Sequence, residues 1–241
     1  MKDDVYQFPD PLSVSLPALT EDIVAVGGNL SVGTLKNAYS QGIFPWPHEG
    51  QPLLWFFPTQ RGVIFKSNFR EPRSLKKWIK NKNYLIKWNQ HFAEVIAECQ
   101  RQPRKGQVGT WITEEMLTSY IGFHKAGFAK CLTIHRASDS ALIGGIYGVF
   151  CHGSFSAESM FFKESNASKV ALKYLCDFLF HAGLDFVDVQ MVTETSEQFG
   201  ATYVSAKDYQ NRLRKNPNAK LDLEKAWNQY LLEQKLFGCV T

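Results

Sequence analysis

Asp188 and Gln190 stand two positions apart in a Val- and Phe-rich run, Leu184 to Gln190. On a strand that spacing puts both side chains on one face, where a carboxylate can accept a proton or hold a cation and a carboxamide can fix an amine. A strand-end pair bonded to a neighbouring loop is the plain alternative. Glu158 sits between Ala157 and Ser159 on an apolar strand, where an acid is costly to bury without a partner. Either it pairs with a nearby lysine, Lys163 or Lys169, or it faces a cleft. Trp46 and Trp111 lie in the short motifs Phe44-Pro45-Trp46 and Gly109-Thr110-Trp111. A flat indole face either fills a core or stacks on an unpaired base, a contribution of about 1–3 kcal/mol.

The elements that must position these groups show as patterns. Residues 144–169 read GGIYGVFCHGSFSAESMFFKESNASK, a glycine-rich strand pair that carries Glu158 and ends at a capped helix opening on Asn166-Ala167-Ser168-Lys169. Such a junction usually frames a cleft. The helix is predicted over 167–182, with Val170, Leu172, Leu175, Phe178 and Leu179 near a 3.6-residue period and Gly183 as its stop. Other helices are predicted over 31–41 with Gly42 as C-cap, from a cap at Ser74 to about Asn81, over 92–99, and over 113–126. Strands are predicted over 63–65, 130–135, 141–150, 155–160 and 184–190. The first sixty residues are rich in proline and aromatics. They predict a small irregular domain over 1–60, ahead of a main body over 61–241. The class is α+β, with α/β as the neighbouring alternative, built on a mixed sheet.

A chain of 241 residues with 44% hydrophobic content suits one large or two unequal domains with a real core. The net charge of +4 is modest but unevenly spread. Residues 66–82 hold seven basic side chains, among them Arg73, Lys76, Lys77, Lys80 and Lys82, against one acid, Glu71. A second run carries Lys207, Arg212, Arg214, Lys215 and Lys220 against Asp208. Taken alone, each is a solvated face as readily as a binding one. The five cysteines lack CxxC spacing, which argues against a disulfide framework and a thiolate zinc site. The six histidines never fall at HxxxH or HExxH spacing, so no metal is expected. Gly153-Ser154-Phe155-Ser156-Ala157 only partly resembles a nucleophile elbow, and neither a Walker A loop nor a strand-borne GxGxxG occurs. The helix at Asn166 opens without glycine to cradle a pyrophosphate, so coenzyme A, ATP and other cofactors are not expected. No apolar h-region follows Met1-Lys2-Asp3-Asp4 and no run reaches membrane-span length; no membrane association and a reduced, cytoplasmic location are expected.

The two tryptophan motifs, the 144–169 block and Asp188-Val189-Gln190 resemble, in order, the leucyl/phenylalanyl-tRNA–protein transferase family, from about Phe8 to Leu213. The resemblance implies a small N-terminal domain joined to an N-acyltransferase-like (GNAT-like) core. It implies transfer of Leu, Phe or Met from aminoacyl-tRNA to proteins with N-terminal Arg or Lys, marking them for N-end-rule degradation. No cofactor is needed, because an activated ester becomes an amide. The attacking α-amine has a pKa of about 7.7–8.0, so roughly a tenth is neutral at pH 7 and orientation matters more than a strong base. Asp188 and Gln190 match the family's Asp-Cys-Gln segment, with Val189 in place of the cysteine. They act as a proton relay or beside the tRNA's own ribose hydroxyl. Glu158 becomes a determinant of the acceptor pocket, so that two carboxylates meet two positive groups. Trp46 and Trp111 match tryptophans near the terminal adenosine and the cleft. Ile146, Phe155, Met160 and Leu175 match the lining of the aminoacyl pocket. Arg73 and Lys80 match basic positions facing the tRNA acceptor stem, where Lys76 and Lys77 join them; Lys82 follows Asn81, which replaces a further basic residue.

The chain departs from the family at Lys130-Cys131-Leu132-Thr133, where His-Ser and a Glu are usual, at Thr195 (usually His) and at Gln198 (usually Ser). Phe57 and Thr59-Gln60 replace a Ser-Pro-Asp-Pro stretch before Arg61. These changes spare the acids, Gln190 and both tryptophans; the choice of donor amino acid and of acceptor are the properties they put in question, so a transferase of this family with altered donor or acceptor preference is one alternative. A tRNA-binding protein with a dead site is the non-enzymatic alternative.

Overall fold

A computed structural model of the chain describes residues 5–14, 22–47, 50–81, 84–103, 110–216 and 220–234. The aromatic-rich start forms β1 (Ile23–Val26), α1 (Val32–Ser40), β2 (Phe44–Pro45) and β3 (Leu54–Phe56), its strands pairing antiparallel in the order β1-β3-β2. Ser31 caps α1 by accepting the Thr34 N–H, and Gly42 at φ 79° follows its last turn, as expected. Fully buried Trp55 anchors this sheet, its Nε1 donating to the Gly27 carbonyl at 2.8 Å.

The main body runs β4 (Gln60–Phe65), α2 (Arg73–Asn81), β5 (Tyr84–Trp88), α3 (Phe92–Arg101), α4 (Glu114–Lys125), β6 (Ala129–Arg136) and β7 (Leu142–Cys151). It continues with β8 (Ser154–Phe162), α5 (Ala167–His181), β9 (Phe186–Gln190), α6 (Glu194–Gln198), β10 (Ala201–Ser205), α7 (Ala206–Arg214) and α8 (Leu223–Gln234). Seven of its strands form one sheet in the order β10-β4-β9-β8-β7-β6-β5. All neighbours are antiparallel except β8 and β9, which are parallel because α5 carries the chain back across the sheet between them. The class is α+β with a mixed sheet, as the sequence implies.

One apolar cluster joins α1 and the small sheet to α3 and α4 through Leu35, Trp55, Val95, Tyr120 and Tyr147. The small N-terminal unit therefore shares its core with the main body. The other cluster lies under α5, with α2 and α8 packed on it through Leu75 and Trp227. Predicted helix ends shift in two places. Helix α2 begins at Arg73, its first turn bonded back to the Pro72 carbonyl, so Ser74 lies inside the helix rather than capping it. Asn166 precedes α5 at φ 69° and makes no side-chain cap. Edge strand β5, missed from sequence, alternates buried and half-buried residues over only five positions, a weak signal beside a basic helix.

Candidate active site

Strands β8 and β9 are in register at one pair only, Ser156 with Asp188. Two residues further along each strand stand Glu158 and Gln190, and both strands are bulged there. Tyr147 faces Ser159 while its neighbour Gly148 faces Ala157, which leaves Glu158 as the extra residue of β8. Gly62 faces Gln190 while Val63 faces Asp188, which leaves Val189 as the extra residue of β9. A bulge breaks the two-residue alternation and re-aims side chains. Glycine is needed opposite the first bulge, since a Cβ on Gly148 would stand 2.3 Å from the Ser156 carbonyl oxygen.

Gln190 spans the gap, its Nε2 donating to Glu158 Oε1 at 2.8 Å. Both side chains line a cavity of about 320 Å³ whose walls include Phe44, Trp46, Trp111, Met160 and Met191. A smaller cavity of about 120 Å³ shares Glu158, Met160, Val189 and Met191 with it and adds Ile146 and Leu172. Five expected groups thus converge: Glu158, Gln190, Trp46, Trp111 and Met160, with Ile146 next door. Neither lysine weighed as a partner reaches Glu158, because Lys163 pairs with Glu98 at 3.1 Å and Lys169 bonds Gln198 at 3.0 Å. Glu158 Oε2 is shut from solvent and makes no hydrogen bond among the described residues, while the adjacent Tyr39 hydroxyl is engaged with Tyr120. Burial pushes the Glu158 carboxyl up to about 8, helped by the charge of Asp188 and opposed by Tyr39, Arg61 and Gln190. A carboxyl poised near the pKa of an α-amine is suited to exchanging charge with one.

Asp188 departs from the expectation that it faces the cleft beside Gln190. It is 0% exposed and lines neither cavity. Arg61, 1% exposed, grips it with two bonds, Nε to Oδ1 at 2.8 Å and Nη2 to Oδ2 at 2.6 Å. Ser156 and Tyr209 hydroxyls donate to Oδ2 at 2.8 and 2.7 Å, and the Gln190 backbone N–H donates to Oδ1 at 2.9 Å. Burial raises its pKa, but the Arg61 charge and these bonds outweigh that and hold the carboxylate below its ordinary value. The extra residue Val189 is the physical cause: the alternation that would have put Asp188 and Gln190 on one face is lost at the bulge. Arg61, Ser156 and Tyr209 were not recognised from sequence, because a buried arginine carries no periodic signal and its partners lie up to 148 positions away.

Phe155 and Leu175 also differ from expectation. Both are 0% exposed and line neither cavity; they sit in the core cluster that backs Ile146 and Leu172. Leu172 and Val189 take the places expected for them. Leu175→Ala is expected to cost about 2–5 kcal/mol of stability in urea unfolding while leaving the ranking of donors unchanged. A changed ranking at unchanged stability would put Leu175 back in the pocket wall.

On α2, Leu75 is buried and Trp78 and Ile79 are half-buried, so the helix turns its other side outward. Arg73, Lys76, Lys77 and Lys80 are all exposed there, with no acidic partner among the described residues. Lys82 lies outside the described residues. Thr133, one of the departures, is buried and bonded to His135 Nε2 at 3.0 Å, away from both cavities. Among the described residues no group of three or more His, Cys, Asp or Glu is arranged to hold a metal, and no helix is long and apolar enough to cross a membrane.

The chain matches the family model for leucyl/phenylalanyl-tRNA protein transferase over residues 63–214 and the model for that family's N-terminal domain over residues 28–59. The leucyl/phenylalanyl-tRNA–protein transferase of Lawsonia intracellularis is 38% identical over 213 residues, 88% of this chain and 91% of that protein. Its counterpart in Pseudoalteromonas translucida is 37% identical, covering 92% of this chain and 94% of its own. That of Desulfatibacillum aliphaticivorans is 42% identical over 80% of this chain and 81% of its own. Among solved structures, L-PGS from Bacillus licheniformis is similar at 9% identity and a TM-score of 0.38, over 81% of this chain and 67% of that one, a likeness too remote to carry an argument.

Proposed function

The chain belongs to the leucyl/phenylalanyl-tRNA–protein transferase family, and from that premise we propose that it moves Leu, Phe or Met from aminoacyl-tRNA to the N-terminal Arg or Lys of acceptor proteins. The transfer marks those proteins for N-end-rule degradation in the cytoplasm, where charged tRNA is made. The supporting observation is the cavity in which Gln190 holds Glu158 between two tryptophans.

The neutral α-amine of the acceptor attacks the ester carbonyl of the donor. A C–N bond forms, the ester C–O bond breaks, and a proton passes from the amine to the leaving ribose oxygen. Because an ester is exchanged for an amide, no energy source is consumed, and the protein's task is orientation and charge stabilisation. Gln190 Nε2 is committed to Glu158, which leaves the Gln190 carbonyl oxygen to accept an N–H of the amine. Glu158 attracts the cationic acceptor, and a positive charge arriving beside it favours its ionised form. Asp188 serves by holding Gln190 rather than by touching the amine. Trp46 and Trp111 stack on the unpaired 3′ end of the tRNA. Ile146, Met160, Leu172 and Val189 form an apolar wall for the donor side chain. Bringing an unpaired charge there would cost several kcal/mol, so aspartyl- and glutamyl-tRNA are rejected. In this reading the chain divides near residue 60, the N-terminal unit lending Phe44 and Trp46 to the wall and the rest supplying the other groups.

Purified protein with leucyl-, phenylalanyl- or methionyl-tRNA and a protein bearing N-terminal Arg or Lys is expected to add one residue to that N-terminus without ATP. Mass spectrometry of the product reads it. Retention of every amino acid on its tRNA would overturn the proposal and leave a tRNA-binding protein; efficient transfer of Asp or Glu would overturn the pocket assignment.

The exposed face of α2 supplies sequence-independent phosphate contacts to the acceptor stem. Replacing Arg73, Lys76 and Lys80 together by alanine is expected to flatten the dependence of log K on log salt by about two to three units. Turnover at saturating leucyl-tRNA is expected to hold. An unchanged slope would make this face a solvated one only.

A further inference from the structure

Gln190 is one of six described non-glycine residues with positive φ, at 60°. The next residue closes a three-residue turn around it, Met191 N–H donating to the Val189 carbonyl at 2.6 Å. A turn of this kind with positive φ at its centre is rare and strained. It persists only where its surroundings over-determine it, and here three groups do so. Asp188 Oδ1 accepts the Gln190 backbone N–H at 2.9 Å. Arg61 fixes that carboxylate through two bonds, and its guanidinium lies between the rings of Phe44 and Tyr209, at 4.7 and 4.6 Å from their centroids. Gly62, beside Arg61 on β4, lets the turn fold back onto the strand: a Cβ there would stand 2.7 Å from the Met191 carbonyl carbon and 2.8 Å from the Val192 nitrogen.

From these contacts we propose that Arg61 is a positioning residue of the transfer reaction, acting through Asp188 to hold the strained turn that aims the Gln190 carboxamide at Glu158. Tyr209 and Gly62 complete the clamp. The proposal rests on the reading of Gln190 given above, and goes beyond it by assigning the force that sets the Gln190 geometry to a buried ion pair that lines neither cavity. It also accounts for Asp188: shut away from the cavity, it transmits the grip of Arg61 to the backbone of its second neighbour.

The test pairs kinetics with a thermal double-mutant cycle on the full chain. In ordinary strand backbone, alanine is more stable than glycine; at a strained positive-φ position the order reverses. Gln190→Gly is therefore expected to melt about 2–4 °C above Gln190→Ala. In an Arg61→Lys background, which keeps the charge but loses the two-pronged grip, that gap is expected to shrink to zero or change sign. Arg61→Lys alone is expected to lower kcat for leucyl transfer at least 10-fold, with the dissociation constant for leucyl-tRNA within twofold of wild type. Should Arg61→Lys fail to fold, Tyr209→Phe keeps the ring on Arg61, removes the hydroxyl bond to Asp188, and runs the same cycle. Equal melting of the glycine and alanine variants, or an unchanged gap in the second background, overturns the clamp. An unchanged kcat in a background that abolishes the gap overturns its role in the reaction. If wild type transfers no amino acid, the functional reading fails by itself, and the melting cycle still decides whether Arg61 holds the turn.

Discussion

Asp188→Ala is expected to destabilise the fold strongly, not merely to slow the reaction. The substitution leaves the Arg61 guanidinium 1% exposed with no counter-charge, and breaking one side of a buried ion pair costs about 3–5 kcal/mol. That is a large share of a total stability of about 5–15 kcal/mol. Urea unfolding at pH 7 measures it. The acid limb gives a second readout. The folded-state pKa of Asp188 is depressed, so its contribution to stability is present above the unfolded value of about 3.9 and is lost as pH falls through the folded value. Wild type is expected to lose stability over that window, and a folded Asp188→Asn variant to lose less. An Asp188→Ala protein with wild-type stability and no activity would instead place the carboxylate at the substrate.

Glu158→Gln is expected to change both the acceptor Michaelis constant and the pH dependence of folding. On the proposed reading Glu158 meets the acceptor's cation, so removing its charge forfeits a charge-assisted contact worth about 1.5–3 kcal/mol, and the Michaelis constant for an N-terminal Arg or Lys acceptor should rise about 10- to 160-fold. Wild-type affinity for the acceptor should improve as pH rises towards about 8, where Glu158 ionises. The variant should keep only the titration of the amine. The stability effect has the opposite sign to that of Asp188. With the folded pKa raised to about 8, the unfolded chain gives up this proton first, near pH 4.3. Between those values wild type loses up to about 1.4 kcal/mol per pH unit from this group, and the loss levels off above pH 8. The stability of Glu158→Gln relative to wild type should therefore grow from pH 5 to 8 and then flatten. A constant difference across that range would show that Glu158 is not held protonated by burial.

By itself the sequence determined the class and most of the helices and strands of the main body, and it singled out Glu158, Gln190, Trp46 and Trp111, which the fold brings to one cavity. Helix α5 was legible because Val170, Leu172, Leu175, Phe178 and Leu179 repeat at the helical period, and the motifs around Trp46, Trp111, Glu158 and Gln190 were legible because each is local. The basic face of α2 was legible for the same reason, since nine consecutive residues place every charge. Tertiary structure alone decided which of these groups meet. Two one-residue bulges, at Glu158 and Val189, reverse the alternation on which face assignments depend, and a bulge leaves no mark in a short apolar run. They send Asp188 inward to Arg61 and turn Gln190 outward to Glu158. Phe155 and Leu175 look the same as pocket residues in composition, and only the layering of α5 on the sheet buries them. The Arg61 clamp joins β4, β8, β9 and α7 across as many as 148 positions. Its energy comes from desolvated charge satisfied at a distance, a quantity that exists only once the chain has folded around it.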